Sequence, residues 1–258
     1  MITVTDQTGE RVSLPRVPRR IVSLVPSQTE LLYDLGLDEE VVGITKFCVH
    51  PESWFRTKTR IGGTKKVEVG RLKALGPDLV IANKEENTRE DVEAIRAFCP
   101  VWTSDVGTVD DALSMIRDIS SLCGLEVEGG RLENEIRQSL VSITALNLKA
   151  AYLIWKDPYM TAGGDTFIHH MMEAAGIENV FKEKSRYPEV SIEDIRESRG
   201  DLVFLSSEPY PFKIKDIAEL SKLLPKQKLV IVDGEMFSWY GSRMRHFAGY
   251  IRELTPKP

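Results

Sequence analysis

The sequence predicts an α/β protein of two lobes, each a parallel-type sheet flanked by helices, the two joined by one long rigid α-helix. Three observations carry this expectation. Short β-branched runs alternate with amphipathic helical stretches, the order that gives parallel sheets covered on both faces. One segment occurs twice: Gly76-Pro77-Asp78-Leu79-Val80-Ile81-Ala82-Asn83-Lys84-Glu85 returns in degenerate form as Gly200-Asp201-Leu202-Val203-Phe204-Leu205-Ser206-Ser207-Glu208. Glu68-Val69 precedes the first copy and Glu189-Val190 the second, and Asp78 and Asp201 stand 123 residues apart. That spacing is too long for a solenoid repeat and suits a duplicated lobe. Finally, the stretch 131–157 holds neither Gly nor Pro, and Leu132, Ile136, Leu140 and Ile143 recur in it at helical spacing.

In chain order, residues 3–12 read as a hairpin centred on Gly9. Arg20 to Val25 is a β-branched run, and Ser27-Gln28-Thr29-Glu30 then has the spacing of a capping box opening a helix that Gly36 stops. Strands are expected at 41–45, 78–82 and 101–103. A helix over 88–98 presents Val92, Ile95 and Phe98 on one face, and a helix over 109–123 has Leu113, Ile116 and Ile119 as its stripe. These place the first lobe at residues 1–126, the connecting helix at 127–148 and the second lobe at 149–258. The second lobe opens with a strand over 151–155 and a Gly163-Gly164-Asp165 turn into a helix ending at Gly176. Strands at 201–206 and 229–232 and a last helix over 242–254 complete it. A helical connection resists bending more than a Gly/Ser linker, so a largely preformed cleft is expected.

Composition narrows the function. Among 258 residues, 34 are basic and 39 acidic, a net charge of −5 with no basic stripe interleaved with aromatics, so nucleic acid is not an expected partner. No apolar run approaches the ~20 residues that span a bilayer, and residues 1–15 lack the basic start and apolar core of a signal peptide. As written the chain reads as unexported, and a chain stripped of its leader would read the same. Cys48, Cys99 and Cys123 have no CxxC spacing and read as small buried residues rather than disulfide or zinc ligands.

Ligands of open parallel sheets bind beyond the carboxyl ends of the strands. Those ends carry Ser27 and Gln28; Phe47, Cys48 and His50; Asn83 and Lys84; Lys156 and Tyr159; Tyr210 and Phe212; and Phe237, Trp239 and Tyr240. They are rich in aromatics and hold no convergent acid, base and nucleophile, so no catalytic residue is assigned and no enzyme is expected. Such loops suit a large, partly flat ligand held by stacking, although any one ring could instead close the end of a core. His169-His170 invites a metal, but adjacent helical residues point about 100° apart, so a solvated helix face is expected and no metal site is assigned. Gly163-Gly164-Asp165 reads as a turn with an N-cap, and Glu85, Glu86 and Glu208 as solvated loop charges.

Arg20-Ile21-Val22-Ser23-Leu24-Val25-Pro26-Ser27-Gln28-Thr29-Glu30, then Leu72 to Ile81, then Gly176-Ile177-Glu178-Asn179-Val180-Phe181, resemble the class III, helical-backbone substrate-binding proteins of ABC importers for cobalamin, ferric siderophores and haem. The resemblance runs over essentially the whole chain and in order. It implies non-catalytic binding of a metal-containing chelate in an interlobe cleft for delivery to an ABC permease, with a corrinoid favoured and a ferric siderophore or haem next. The chelate is then cargo rather than a catalytic cofactor, and the protein acts as a monomer. The ligand contacts that the resemblance implies are Phe47 or His50 in the first lobe and Tyr187 and Trp239 in the second; Tyr159 and Tyr240 are added as candidates from the strand ends. Lys65 and Lys66 replace a family aromatic; they suit anionic groups on a ligand or form a solvated charge pair. Arg243 is a further anion contact or the first turn of the last helix. In the family one exposed glutamate per lobe docks on the permease. Glu193 matches the second-lobe position, whereas the first-lobe position is Gly70, with Glu68 two residues earlier. The implied location is periplasmic or lipoprotein-anchored if a leader has been removed, and cytoplasmic if Met1 is the native start. Two alternatives stay open: a cytosolic carrier or sensor of such a cofactor without a permease, and a cofactor-processing enzyme.

Overall fold

The computed structural model describes residues 1–254, and these divide into two units. The first comprises residues 1–106, 110–136 and 240–243; the second comprises 107–109, 137–239 and the chain from Met244. The division falls inside a helix, between Ile136 and Arg137.

In the first unit the chain runs through β1 (Ile2–Thr5), β2 (Arg11–Leu14), β3 (Ile21–Ser23), α1 (Pro26–Asp34), β4 (Val41–Ile44), α2 (Glu52–Thr57) and β5 (Thr59–Arg60). It continues through β6 (Gly62–Gly63), β7 (Lys66–Val67), α3 (Val69–Ala74), β8 (Leu79–Asn83), α4 (Arg89–Arg96) and β9 (Val101–Ser104), then α5 (Val109–Cys123) and α6 (Glu126–Val141). Strands β5-β4-β3-β8-β9 form a sheet paired parallel throughout. β8 is buried at every residue, as a central parallel strand covered on both faces should be. The expected hairpin is β1–β2, with Gly9 at φ +89°, a value that costs any side-chain-bearing residue. A core of Val22, Leu24, Ile61, Leu72, Val80 and Ile95 holds the sheet to its helices.

The second unit carries β10 (Leu148–Trp155), β11 (Met160–Thr161), α7 (Phe167–Ala174), β12 (Ile177–Asn179), α8 (Ile192–Glu197) and β13 (Leu202–Ser206). α9 (Ile214–Leu223), β14 (Lys228–Val232), α10 (Gly234–Ser238) and α11 (Phe247–Leu254) follow. β10 pairs parallel with β12 and β13, β13 pairs parallel with β14, and β11 adds one antiparallel edge. Leu153, Val203, Leu205, Ile195 and Leu220 lie in its core.

The two repeated aspartates do the same work. The Asp78 carboxylate accepts backbone N–H groups of Arg19 and Arg20, each at 2.9 Å, at the start of β3. That of Asp201 accepts the Lys149 N–H at 3.1 Å at the start of β10. Each aspartate also donates its own N–H to the carbonyl of the same neighbour, Arg20 or Lys149, at 2.9 and 2.8 Å. The repeated acid thus ties the start of one parallel strand to the next, where the ladder leaves backbone groups unpaired.

Two expected boundaries move. The helix expected over 127–148 stops at Val141, and Asn147 has φ +51°. Val141-Ser142-Ile143-Thr144 is a run of weak helix formers, so the absence of Gly and Pro does not sustain a helix there. The helix after β3 begins two residues earlier than a Ser27 capping box requires, with Val25 as N-cap, Pro26 at its first position and no side-chain cap.

Candidate functional site

In the first unit the carboxyl end of β4 leads into Thr45-Lys46-Phe47-Cys48-Val49-His50. Cys48 anchors this loop: it is buried, its Sγ stands 3.0 Å from Thr29 Oγ1 and 3.1 Å from Thr45 Oγ1, and burial pushes the thiol pKa up. The residue before it faces outward. Phe47 is 50% exposed, a large apolar ring left in solvent. Its ring lies against Gly63, where an added Cβ would come 3.2 Å from Cε2, and Lys46 Nζ stands 5.0 Å from its centroid. His50, half-buried, closes the loop ahead of Pro51.

Beside this loop, Lys65 ends the turn between β6 and β7 and Lys66 opens β7, both exposed. The Lys65 ammonium donates to the Glu85 carbonyl. The loop after β8 is locked by side-chain amides: Asn83 Oδ1 accepts the N–H groups of Glu85 and Glu86 at 2.8 and 2.9 Å. Asn87 Oδ1 accepts the Asn83 N–H at 2.8 Å, and Asn87 Nδ2 donates to the Thr64 carbonyl at 3.0 Å. Loop and turn are therefore one hydrogen-bonded body, which presents the lysines with little freedom lost on binding. Protein atoms crowded around Glu86 push its carboxyl pKa up, and the Lys65 charge partly offsets this. Beneath them Gln28 Nε2 donates to Ser104 Oγ, which also accepts from Asn83 Nδ2 at 2.9 Å. Gln28 and Asn83 thus serve the scaffold.

Arg243 belongs to the first unit and is engaged there. Its Nε and Nη2 donate to the two carboxylate oxygens of Glu30 at 2.9 and 2.8 Å, a bidentate pair with both side chains mostly covered. The partner of Glu30 is thus a guanidinium 213 residues away rather than its own helix N-terminus. Tyr240 is half-buried in the same segment.

In the second unit the carboxyl end of β10 carries Trp155, 40% exposed, with Tyr210 edge-on at 5.8 Å and Phe212 in turn 4.8 Å from Tyr210. Phe212 is buried and closes the core. Tyr159 packs half-buried on that core, its hydroxyl pKa raised by burial. Lys156 Nζ bonds Glu219 at 2.6 Å and Asp216 at 3.0 Å, and these carboxylates push its pKa up. Tyr187 is half-buried, with the Arg186 guanidinium 5.6 Å from its ring centroid.

Trp239 is 8% exposed, and its indole Nε1 donates to Glu208 Oε1 at 2.9 Å. Ser238 Oγ donates to the same oxygen at 2.7 Å. Glu208 is therefore a bracing carboxylate and not the solvated loop charge expected: burial pushes its pKa up, while the Ser238 and Trp239 bonds hold it down. Gly234 makes this possible, since a Cβ there would lie 2.4 Å from Ser206 Oγ and 2.6 Å from Glu208 Cγ.

The two candidate docking carboxylates sit at helix starts. Glu193 is exposed at the second position of α8 and pairs with Arg196. Glu68 is the N-cap residue of α3, 3.6 Å from Arg71. Gly70 stands at the second position of α3, the counterpart of Glu193, with no atom within 4 Å of an added Cβ.

Each unit thus carries exposed rings and amines on loops at the carboxyl ends of its parallel strands. The sequence profile of a family described as periplasmic binding protein matches residues 21–224. The chain belongs to that family. This periplasmic-binding-protein chain is a substrate-binding protein and not an enzyme, as the resemblance implied. A vitamin B12-binding protein of Vibrio parahaemolyticus is 26% identical over 194 residues, 72% of this chain and 70% of that protein. An ABC transporter substrate-binding lipoprotein of Bacillus subtilis, itself uncharacterized, is 28% identical over 217 residues, 78% of this chain and 68% of that protein. Among solved structures, a possible iron-binding, periplasmic solute-binding protein of Staphylococcus epidermidis matches with a TM-score of 0.80 at 22% identity, over 94% of this chain and 100% of that one. That likeness speaks to the fold alone. Among the described residues no helix is long and apolar enough to cross a membrane.

The structure brings Phe47, Lys65 and Lys66 onto adjoining loops of the first unit, with His50 at the end of the Phe47 loop. In the second unit the Tyr159 and Tyr187 segments are joined by backbone bonds, the Val190 N–H donating to the Tyr159 carbonyl at 2.9 Å and the Thr161 N–H to the Pro188 carbonyl at 3.1 Å, while Trp239 follows α10. Reading from the sequence missed Trp155, at the end of a strand and half exposed, whose signal was an aromatic at the last residue of a β-branched run. It also missed the Glu30–Arg243 and Glu208–Trp239 pairs, which have no local signal.

Proposed function

We propose that this chain binds a metal-containing chelate, a corrinoid first and a ferric siderophore or haem next, and delivers it to an ABC import permease. The single observation that carries the ligand class is the likeness to a vitamin B12-binding protein over most of both chains. The geometry supports it. Phe47 in the first unit and Trp155 in the second each leave a ring exposed, the kind of group that stacks on a flat macrocycle, and the exposed Lys46, Lys65 and Arg186 are donors of the kind that amides or carboxylates of such a ligand accept. Direct contact is assigned to Phe47, His50, Lys65, Lys66, Tyr159, Tyr187 and Tyr240. Trp239 and Arg243, each committed to a carboxylate, shape the loops that bear them. Glu193 is assigned to permease docking, with Glu68 as the first unit's nearest carboxylate. A periplasmic or lipid-anchored location accords with the lipoprotein relative.

Titration of the purified chain with cyanocobalamin, haemin and a ferric hydroxamate, followed by tryptophan quenching, tests the reading. Trp155 is the exposed reporter. Saturable quenching by cyanocobalamin that is weakened by Phe47→Ala is expected; silence with all three overturns the chelate proposal. One observation favours a second reading, a carrier without a permease: Gly70 stands where the first docking glutamate belongs. If cyanocobalamin binds but the chain supports no uptake through a reconstituted permease, the carrier reading wins.

A further inference from the structure

On α7 the structure brings together three groups that the site above does not use. His169, His170 and Glu173 each offer one donor atom, and the three atoms lie within 4.8 Å of one another. Glu173 Oε2 is 3.4 Å from His169 Nε2 and 3.3 Å from His170 Nδ1. In a tetrahedral zinc site with metal–ligand bonds of about 2.0–2.1 Å, ligand atoms are separated by about 3.3–3.4 Å. Two of the three edges already have that length, and the third, between the two imidazole nitrogens, is no longer than 4.8 Å.

The expectation of a solvated helix face is corrected here. His169 is 7% exposed and His170 half-buried, and their rings stand edge to face at 5.1 Å. Adjacent helical positions do diverge, but different nitrogens of the two rings reach the same carboxylate, because Glu173 follows them by four and three residues.

We propose that His169 Nε2, His170 Nδ1 and the Glu173 carboxylate bind one divalent transition-metal ion, with solvent completing the coordination. Two imidazoles and a carboxylate select zinc, nickel or copper over magnesium or calcium. The exposed side of Glu173 gives the ion its approach. One feature limits affinity: among the described residues His169 Nδ1 is buried without a hydrogen-bond partner, whereas strong sites give that N–H an acceptor. The site is therefore weaker than a structural zinc centre, by the roughly 10–100-fold such a partner contributes. The proposal is independent of the chelate reading.

Competition titration of the full chain with Zn²⁺ and a chromophoric chelator, without any chelate ligand, tests it. One Zn²⁺ per chain is expected, with affinity falling at least about tenfold in both His170→Ala and Glu173→Gln and unchanged in His246→Ala. The first two side chains are partly or fully exposed, so thermal midpoints of the metal-free variants should match the parent. Ring ¹⁵N spectra give a readout that needs no variant: Zn²⁺ should shift His169 Nε2 and His170 Nδ1. No stoichiometric Zn²⁺ binding, binding that survives Glu173→Gln and His170→Ala, or shifts confined to His50 or His246 would each overturn the assignment.

Discussion

The helix before the repeated strand is α3 in the first unit and α8 in the second, and their ends differ position by position at the same spacing as Asp78 and Asp201. At the N-cap, Ser191 of α8 forms a capping box with Asp194, whereas Glu68 of α3 makes no side-chain cap. Just past the C-cap the advantage reverses. Gly76 has φ +57° and Arg199, its counterpart, has φ +55°. The backbone thus keeps its left-handed turn into the Asp-Leu-Val strand in both copies, although only one copy retains the residue that adopts it without strain. What persists in the duplicated lobe is backbone geometry and the aspartate clamp; what drifts is the chemistry of the caps and, at Gly70 and Glu193, of the exposed helix start.

The carboxyl-end loops differ in the same manner, and this contrast predicts the largest effect. Phe47 of the first unit is half exposed, while Trp239 of the second is buried with its N–H on Glu208. Trp239→Ala should lower unfolding free energy by about 3–5 kcal/mol, through the cavity and an under-bonded buried carboxylate. Phe47→Ala should change it by less than about 0.5 kcal/mol and act on ligand affinity instead. Urea unfolding of both variants measures the contrast, and equal losses would break it. Next in size is the aspartate clamp. Asp78→Ala removes bonds to two backbone N–H groups and should cost about 2 kcal/mol; Asp201→Ala removes one, at a more exposed position, and should cost about 1 kcal/mol. A larger loss at Asp201 would show that the two clamps are not equivalent.

Those elements that the sequence made legible are the ones whose cause is local. The strands around Leu79–Asn83 and Leu202–Ser206 follow from β-branched runs and the repeat, and α4 from its amphipathic spacing and Thr88 cap. Ser27-x-x-Glu30 misled because Pro26 claims the first helical position and Glu30 is drawn to Arg243, a contact made only in the folded chain. The short strands β5, β6, β7, β11 and β12 have two or three residues each, too few for a period to show. In the site, aromatic residues at strand ends were visible, but which of them face outward was not. Phe47 and Phe212 occupy similar loops and differ only in what packs over them. His169-His170 reads as a divergent pair when taken alone, whereas Glu173, four and three residues on, faces both rings.

Smaller effects test the drift at the caps. Arg199→Gly should stabilise by about 0.5–1 kcal/mol, the left-handed strain relieved less the extra entropy glycine gives the unfolded chain. Gly76→Arg should destabilise by about 1 kcal/mol; a Cβ at residue 76 has only Arg20 Nε near, at 4.0 Å, so the cost is backbone strain and not a clash. Opposite signs in thermal or urea unfolding would confirm that the two turns are one inherited conformation. The same sign would mean that local contacts of Arg199 outweigh its backbone.

Gly70→Glu makes the first helix start resemble the second. No atom lies within 4 Å of the new Cβ, so nothing resists the side chain. Replacing a helical glycine removes roughly 0.5–1 kcal/mol of backbone entropy cost, and a carboxylate in the first turn adds a few tenths through the helix dipole. Repulsion from Glu68, two residues before, takes some of that back, leaving a gain of about 0.5 kcal/mol in urea unfolding. If Glu193 is a docking carboxylate, the same variant should also strengthen co-purification with the permease, and Glu193→Gln should weaken it, with the cyanocobalamin affinity of both variants unchanged. Added charge on a surface that meets a basic socket acts first on association rate, so the gain should shrink as salt is raised. A Gly70→Glu variant that is more stable yet indifferent to the permease at low salt would leave the helix start as a matter of folding alone, and would remove the symmetry argument from the docking proposal.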